Sequence, residues 1–428
     1  MKKQIEKYFD RLWHINRSLT GNGNRESFKI LSEIVDLKIN EVRSGTKCFD
    51  WTVPPEWNVK EAWIKDSSDK IIADFKKNNL HLLGYSEKFS GTLSLKDLKE
   101  NLYSLPEQPD LIPYLTSYYK KRWGFCLSHN QLNKLKNEKY KVKIDSELNE
   151  KGFMTYGEAV LKGKSSKEIL LSTYICHPSM ANNELSGPLV TSFIYKILKE
   201  EKNRRYTYRF LFLPETIGAI YYLSRHGNEL KKKLAAGYVI TCIGDKGNFS
   251  YKKSRDGNTI ADRAAMLVLN QSGEKFNLED FFPTGSDERQ YCSPGFNLPV
   301  GSLMRTRYGK YKEYHTSADN KNFISFDAMQ KSVEKYMSVI NVIEKNLIYV
   351  NTLPDCEPQL GKRGLYPTIG SQKDTTGFVN AMMWVLNMSD GKNDLIDIAD
   401  KSKVKFELIA EAAERLSEKN LLKVKRKS

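Results

Sequence analysis

Four residues standing at the ends of apolar runs carry the chemistry this sequence can do: His177, Glu215, Asp245 and His315. The run 170–175 ends in Cys176-His177-Pro178-Ser179, the run 206–213 leads into Pro214-Glu215, and the run 235–243 leads into Gly244-Asp245. A further run, 297–306, is followed by Glu313-Tyr314-His315-Thr316-Ser317. In open α/β sheets the reactive groups sit where a strand's C-terminal end hands over to a loop. Histidines and carboxylates delivered to such places are the ligand and base types of a hydrolytic zinc site, which keeps one position open for water. The remaining histidines, His14, His81, His129 and His226, read as ordinary surface or core residues.

Softer candidates lie nearby. Asp287, in Gly285-Ser286-Asp287, and Asp319, four residues after His315, either hydrogen-bond the ligand histidines or serve as loop caps. Arg305, Arg307 and Tyr308 stand between the last core run and His315. The donor fork of an arginine suits a substrate carboxylate or phosphate there.

The elements that must position these groups follow from hydrophobic period and turn residues. Residues 3–19 and 26–37 read as amphipathic helices around the turn Gly21-Asn22-Gly23-Asn24, and 49–53 as a strand stopped by Pro54-Pro55. From 57 to 145 the character changes, with Trp57, Trp63, Tyr114, Tyr118, Tyr119, Trp123 and Phe125 set among polar turns. The segment Tyr118-Tyr119-Lys120-Lys121-Arg122-Trp123 mixes aromatics with cations; packing is its expected role and substrate contact the alternative. The sheet resumes at 157–161 and 169–175, followed by a helix at 186–199, strand 206–213, helix 216–226 and strands 239–243 and 249–253. A helix at 260–270, a loop at 281–296, strand 298–304 and helix 326–347 complete the large domain. Beyond Asn351, the residues Pro354, Pro358, Gly361, Gly364 and Pro367 punctuate a linker. The tail then reads helix 377–386, polar turn 388–393, helix 395–400, helix 405–419 and strand 421–425.

At 428 residues with 40% hydrophobic composition, two or three domains with a buried core are expected. The start mixes charged and apolar residues at helical spacing, so it reads as neither signal peptide nor membrane span. The six cysteines are scattered singly, which suits reduced thiols and a cytoplasmic location. The net charge of +16 is partly local, with eight Lys or Arg against Glu138 between Lys120 and Lys143. A solvated surface is the plainer reading, and a dedicated acidic partner is the alternative. No G-x-S-x-G elbow, P-loop, dinucleotide fingerprint after a strand or cysteine cluster is present.

The order His, Glu, Asp, His resembles the co-catalytic zinc exopeptidases. More closely, the chain resembles a bacterial aminopeptidase-like family often encoded among surface-polysaccharide genes. The motifs that carry the resemblance are Cys176-His177-Pro178-Ser179, 181–187, 214–218, Gly244-Asp245 and 314–319. The resemblance implies an α/β fold: a zinc-exopeptidase-like mixed sheet between helices (1–56 and 146–350), an inserted mainly-β subdomain (57–145), and a linker with a C-terminal winged helix-turn-helix domain (351–428). It also implies His177, Asp245 and His315 as metal ligands, position 183 beside them, and Glu215 as the general base that moves a proton from water to the leaving amine.

Three departures bear on mechanism. The bridging Asp of the two-zinc enzymes corresponds to Asn183, the second of their paired glutamates to Thr216, and the Asp that orients the first histidine to Ser179. A neutral amide is a poor bridge, so one tightly held zinc ion instead of two, or a weakly occupied site, is expected unless Glu184 lends its carboxylate through a small shift of the turn. The functional expectation is a metal-dependent hydrolase of peptide or other amide bonds. Its alternatives are a degenerate scaffold that binds a partner, and a winged-helix nucleic-acid binder. The helix that would enter a major groove carries Glu407, Glu411, Glu414 and Glu418, which opposes phosphate and favours protein contact, including a homo-oligomer formed through this domain.

Overall fold

Thr207–Leu213, Glu168–Tyr174, Leu234–Val239 and Val300–Met304 lie side by side and parallel at the centre of an eight-stranded mixed sheet. The structure is a computed structural model of the chain and describes residues 1–365 and 376–425. Glu168–Tyr174 is buried at every position, as a strand covered on both faces must be. Phe153–Leu161 and Lys38–Arg43 extend one flank antiparallel. Phe249–Lys252 extends the other, with Phe276–Glu279 at its edge. Sequence pattern does not predict that last edge strand, because its four residues stay largely exposed and carry little apolar signal. Because the four central strands run the same way, their C-terminal ends share one edge, and all four candidate loops leave from it.

The helices that cover this sheet are Ser186–Glu200 and Ile217–Lys233, the second extending well past the expected end at His226. The first must approach the sheet closely. A Cβ on Gly187 would collide with the Ile240 carbonyl oxygen and the Thr173 hydroxyl, so glycine is required where the helix begins. A single turn with π spacing, Ala181–Leu185, precedes it and is buried throughout.

Between the first strand and the resumed sheet, Ile71–Asp74, Glu56–Lys65, Lys139–Asn149 and Phe89–Ser94 form a four-stranded antiparallel sheet. Aromatic stacking consolidates it. Phe89 and Trp123 lie 4.1 Å apart between centroids, and Trp57 stacks on Tyr85 while donating Nε1–H to the Ser86 carbonyl at 2.9 Å. The aromatic and cationic segment thus places Trp123 in packing, while Tyr119 stays exposed.

The chain forms two compact units, 1–261 with 275–334, and 262–274 with 335–428. In the second, Asp390–Asp394, Ile348–Asn351 and Leu422–Val424 make a three-stranded sheet beside helices Thr376–Met388, Leu395–Ser402 and Phe406–Glu418. This is the arrangement of a winged helix-turn-helix. Asp390–Asp394 overlaps the expected polar turn, and pairing with Ile348–Asn351 makes it a strand, which its local polarity does not reveal. Asp394 and Asp397 form a capping box, and Arg263 binds both carboxylates at 2.6 to 2.9 Å. Glu407, Glu411, Glu414 and Glu418 are all exposed on one helix. Pro367 of the expected linker lies outside the described residues. No helix among the described residues is long and apolar enough to cross a membrane.

Candidate active site

Each loop leaving the shared edge holds one non-glycine residue at positive φ: Ser179 (46°), Thr216 (65°), Cys242 (47°) and His315 (54°). Such conformations cost on the order of 1–3 kcal/mol each and persist where the surroundings impose them, typically at functional sites. Thr216 is the clearest case. With ψ of −75° and a hydrogen bond from the Ile217 N–H to the Glu215 carbonyl at 2.8 Å, it is the centre of a strained γ-turn. Asp287 Oδ1 accepts from the Thr216 N–H at 2.7 Å, and Arg289 Nη2 donates to Thr216 Oγ1 at 2.8 Å. Those two side chains hold the turn that presents Glu215.

Glu215 faces His177. Its Oε2 lies 3.7 Å from His177 Nε2, and its side chain keeps 24% of its exposure. Burial raises its proton affinity, against the opposing charges of His177 and Arg289. The other ring nitrogen of His177, Nδ1, lies 2.8 Å from Glu184 Oε2, and Glu184 Oε1 accepts from Arg17 Nε at 2.8 Å. Burial works against a charge on His177, but the hydrogen bond and charge of Glu184 outweigh it and raise its pKa.

His315 lies near His177, with 5.7 Å between ring centroids. Tyr114 contacts both imidazoles at 5.0 and 5.1 Å, and its N–H donates to the His315 carbonyl at 2.8 Å. Burial, followed by the charge of His177, pushes the His315 pKa down to about 3, so this imidazole is neutral and can serve as a ligand.

Asp245 differs from the open ligand expected of it. Oδ1 accepts from Gly247 N and Thr306 Oγ1 at 2.6 and 2.7 Å, and Oδ2 from Asn182 Nδ2 and Thr306 N at 3.0 and 3.1 Å. Four donors fill the roughly four acceptor positions of a carboxylate. Asn182 completes the lock by accepting from the Gly244 and Asp245 N–H groups. Beside it, Asn183 is 1% exposed, and neither atom of its amide has a partner.

Of the two roles open to Asp319, histidine partner or loop cap, its hydrogen bonds give the cap: its two oxygens accept from the Asn182 and Asn183 N–H groups of the π turn, and burial raises it to about 7. Asp287 likewise serves Thr216, with Oδ2 buried and unpartnered, and burial holds it well above the usual carboxylate range. Arg305 is engaged within the protein: its guanidinium donates to Ser332 Oγ and the Gly247 and Ala328 carbonyls and lies over Phe249. Arg307 pairs with Glu279, and Tyr308 donates to Glu288. Among the described residues, the group of three His, Cys, Asp or Glu side chains with ligand atoms within 4.8 Å of one another is Cys176, His177 and Glu184, not the expected set around His177, Asp245 and His315. Burial keeps the Cys176 thiol neutral.

Sequence reasoning does not single out Arg17, Arg289 or the contact of Tyr114 with both histidines. The one available signal is the aromatic content of the inserted segment around Tyr114.

Residues 6–346 match a family model described as a domain of unknown function (DUF4910), and residues 347–424 match a winged helix-turn-helix. A Clostridium acetobutylicum protein, provisionally named a polysaccharide biosynthesis protein with aminopeptidase-like domain, is 49% identical over 98% of this chain and 96% of its own. The crystal structure of a provisionally named peptidase from the same organism is similar at TM-score 0.92 and 47% identity, covering 99% of this chain and 96% of that one. A zinc aminopeptidase from Bacillus subtilis is similar in fold at TM-score 0.56 and 10% identity, over 78% of this chain and 94% of that one. The chain therefore belongs to the DUF4910 family of aminopeptidase-like proteins, built on the zinc-aminopeptidase fold and followed by a winged helix-turn-helix domain.

Proposed function

We propose that this protein is a metal-dependent, aminopeptidase-like hydrolase of peptide or related amide bonds, with Glu215 as its general base. The observation that carries this reading is the placement of the Glu215 carboxylate, partly open and 3.7 Å from His177 Nε2, on a strained turn at the edge where the four parallel strands end.

The donors present fit one zinc ion. His177 has its Nδ1 engaged and its Nε2 free of protein hydrogen bonds, His315 is neutral, and the buried Asn183 amide lacks a partner. Neither Asp245, which is saturated, nor Glu184, which is committed to Arg17 and His177, offers a carboxylate to a second ion. A zinc ion held by His177 and His315, with Asn183 beside it, would polarise the scissile carbonyl and acidify a water. Glu215, its proton affinity raised by burial, takes a proton at its carboxylate and returns it to the leaving amine. Asp287 and Arg289 hold Thr216 so that this carboxylate keeps its aim, and Tyr114 forms an aromatic wall over both imidazoles. Asp245 organises the turn from the third strand end and is not assigned as a ligand.

A short peptide is the default substrate. An amide on an amino sugar, or a peptide-bearing glycan precursor, agrees with the polysaccharide biosynthesis named for the Clostridium relative. The free cysteines, five buried and Cys356 exposed, suit a reducing cytoplasm. The acidic helix of the C-terminal unit favours a protein partner or a second copy over nucleic acid. One observation favours the alternative of a binding scaffold without turnover: the two positions where carboxylate ligands were expected hold a neutral amide, Asn183, and a saturated acid, Asp245.

The test is metal content of wild type, His177→Ala and Glu215→Ala, with turnover of aminoacyl chromogenic amides in added zinc, manganese or cobalt. Metal lost in the first variant and turnover lost in the second support the hydrolase. Absence of metal and turnover in the wild type moves the reading to the scaffold.

A further inference from the structure

A single buried carboxylate grips the His177 segment at three points. Glu184 Oε2 accepts from the Cys176 N–H at 2.9 Å, from the His177 N–H, and from His177 Nδ1 at 2.8 Å. Its other oxygen takes Arg17 Nε at 2.8 Å, and both side chains are wholly buried. Arg17 is anchored in turn by Nη1, which donates to the Leu12 carbonyl at 2.6 Å near the end of the helix Lys2–Trp13. An ionised carboxylate only accepts, so the proton belongs on Nδ1 and the lone pair of the neutral ring lies at Nε2, the nitrogen that faces Glu215. The other contact of Nδ1 is the weakly hydrogen-bonding thiol of Cys176, at 3.3 Å. Asp287 and Asp319, the acids with a sequence-based claim to this task, bind backbone elsewhere.

We propose that Glu184, with its charge balanced by Arg17, is the positioning residue for His177: it fixes the Nδ1–H tautomer and the ring plane, and so presents the Nε2 lone pair to a divalent metal ion. The proposal rests on the metal-dependent reading above. In the pair Asn183-Glu184 the acid stands one residue beyond the position that matches a bridging ligand. The carboxylate at 184 thus supports the imidazole and does not bridge metal. Supports of this kind orient the ring and raise its basicity, and they govern metal affinity although they touch no metal.

The test uses the full chain and the variant Arg17→Met/Glu184→Leu, in which neither buried charge is left unpaired and position 184 can no longer accept the Nδ1 proton. Circular dichroism first establishes that the variant folds. Long-range nitrogen–proton correlation spectra of the metal-free protein, recorded above the titration of the ring, report the His177 tautomer. Competition with a chromophoric chelator gives the zinc affinity. The wild type is expected to carry the proton on Nδ1; the variant should lose that preference and bind zinc about 10–100-fold more weakly. A wild-type ring protonated on Nε2, or a wild type that binds zinc no more tightly than the folded variant does while both bind it, overturns the proposal. If the variant fails to fold, the wild-type tautomer decides. A wild type that binds no zinc yet shows the Nδ1–H tautomer, lost in the variant, upholds the positioning and refutes the metal reading.

Discussion

Asn183→Asp tests the central chemical argument, because it restores an acid at a position where the structure buries a neutral amide with no partner for either polar atom. Two other acids stand beside it. The Asn183 N–H donates to Asp319 Oδ2 at 2.9 Å, and Glu184 follows directly in the chain. Wild type already buries an unpartnered amide there, so without metal the variant differs by the cost of a buried acid, which stays charged or holds a proton that the unfolded chain releases. We therefore expect the metal-free variant to be less stable than wild type by about 2 kcal/mol at neutral pH, which corresponds to a proton affinity raised about 10–100-fold. Zinc reverses the order. Binding to the native state adds about 2.7 kcal/mol when the free ion is at 100 times its Kd, and an anionic ligand lowers that Kd relative to an amide. Urea midpoints in chelator and in excess zinc, with zinc equivalents per chain by elemental analysis, measure both effects. A variant as stable as wild type in chelator, or one indifferent to zinc, refutes the account of this position. Two zinc ions per wild-type chain would refute the single-ion reading.

Glu215→Gln should lower turnover about 10²–10⁴-fold while leaving zinc content intact, measured by steady-state kinetics and elemental analysis, since it removes a base and no ligand. Burial raises Asp319 from 3.8 to about 7, so the native state keeps a proton that the unfolded chain releases. Its contribution to stability is whole below about pH 4 and is lost as the pH rises through about 7; a carboxyl carbon titration centred near 4 would contradict this. Replacing Glu407, Glu411, Glu414 and Glu418 by lysine should strengthen duplex DNA binding and steepen its log–log salt slope by up to about 3.6, at about 0.9 for each additional phosphate neutralised. Loss of sequence-specific binding on replacing the same residues by glutamine would instead show that this helix reads DNA.

Much of the fold was legible because it rests on local pattern. Apolar runs of strand length separated by helical periods place the four central strands, and an uninterrupted apolar run marks a strand covered on both faces. The edges were less legible. Phe276–Glu279 and Asp390–Asp394 are polar or short, and they become strands through partners distant in sequence. Residues 22–25 belong to the helix Asn22–Leu31, although their two asparagines and a glycine look locally like a turn.

The sequence by itself determined that His177, Glu215, Asp245 and His315 leave strand ends, and that position 183 is an amide. Only the tertiary structure decided what each side chain does there. Arg17 meets Glu184 across 167 residues, and Asp287 reaches Thr216 across 71. Asn182 Nδ2 donates to Asp245 Oδ2 across 63 residues. Strand ends follow from periodicity within a few residues. The assignment of each donor to an acceptor depends on distances of a few ångströms between distant segments, because a buried carboxylate is committed to whichever donors the packed chain brings within reach.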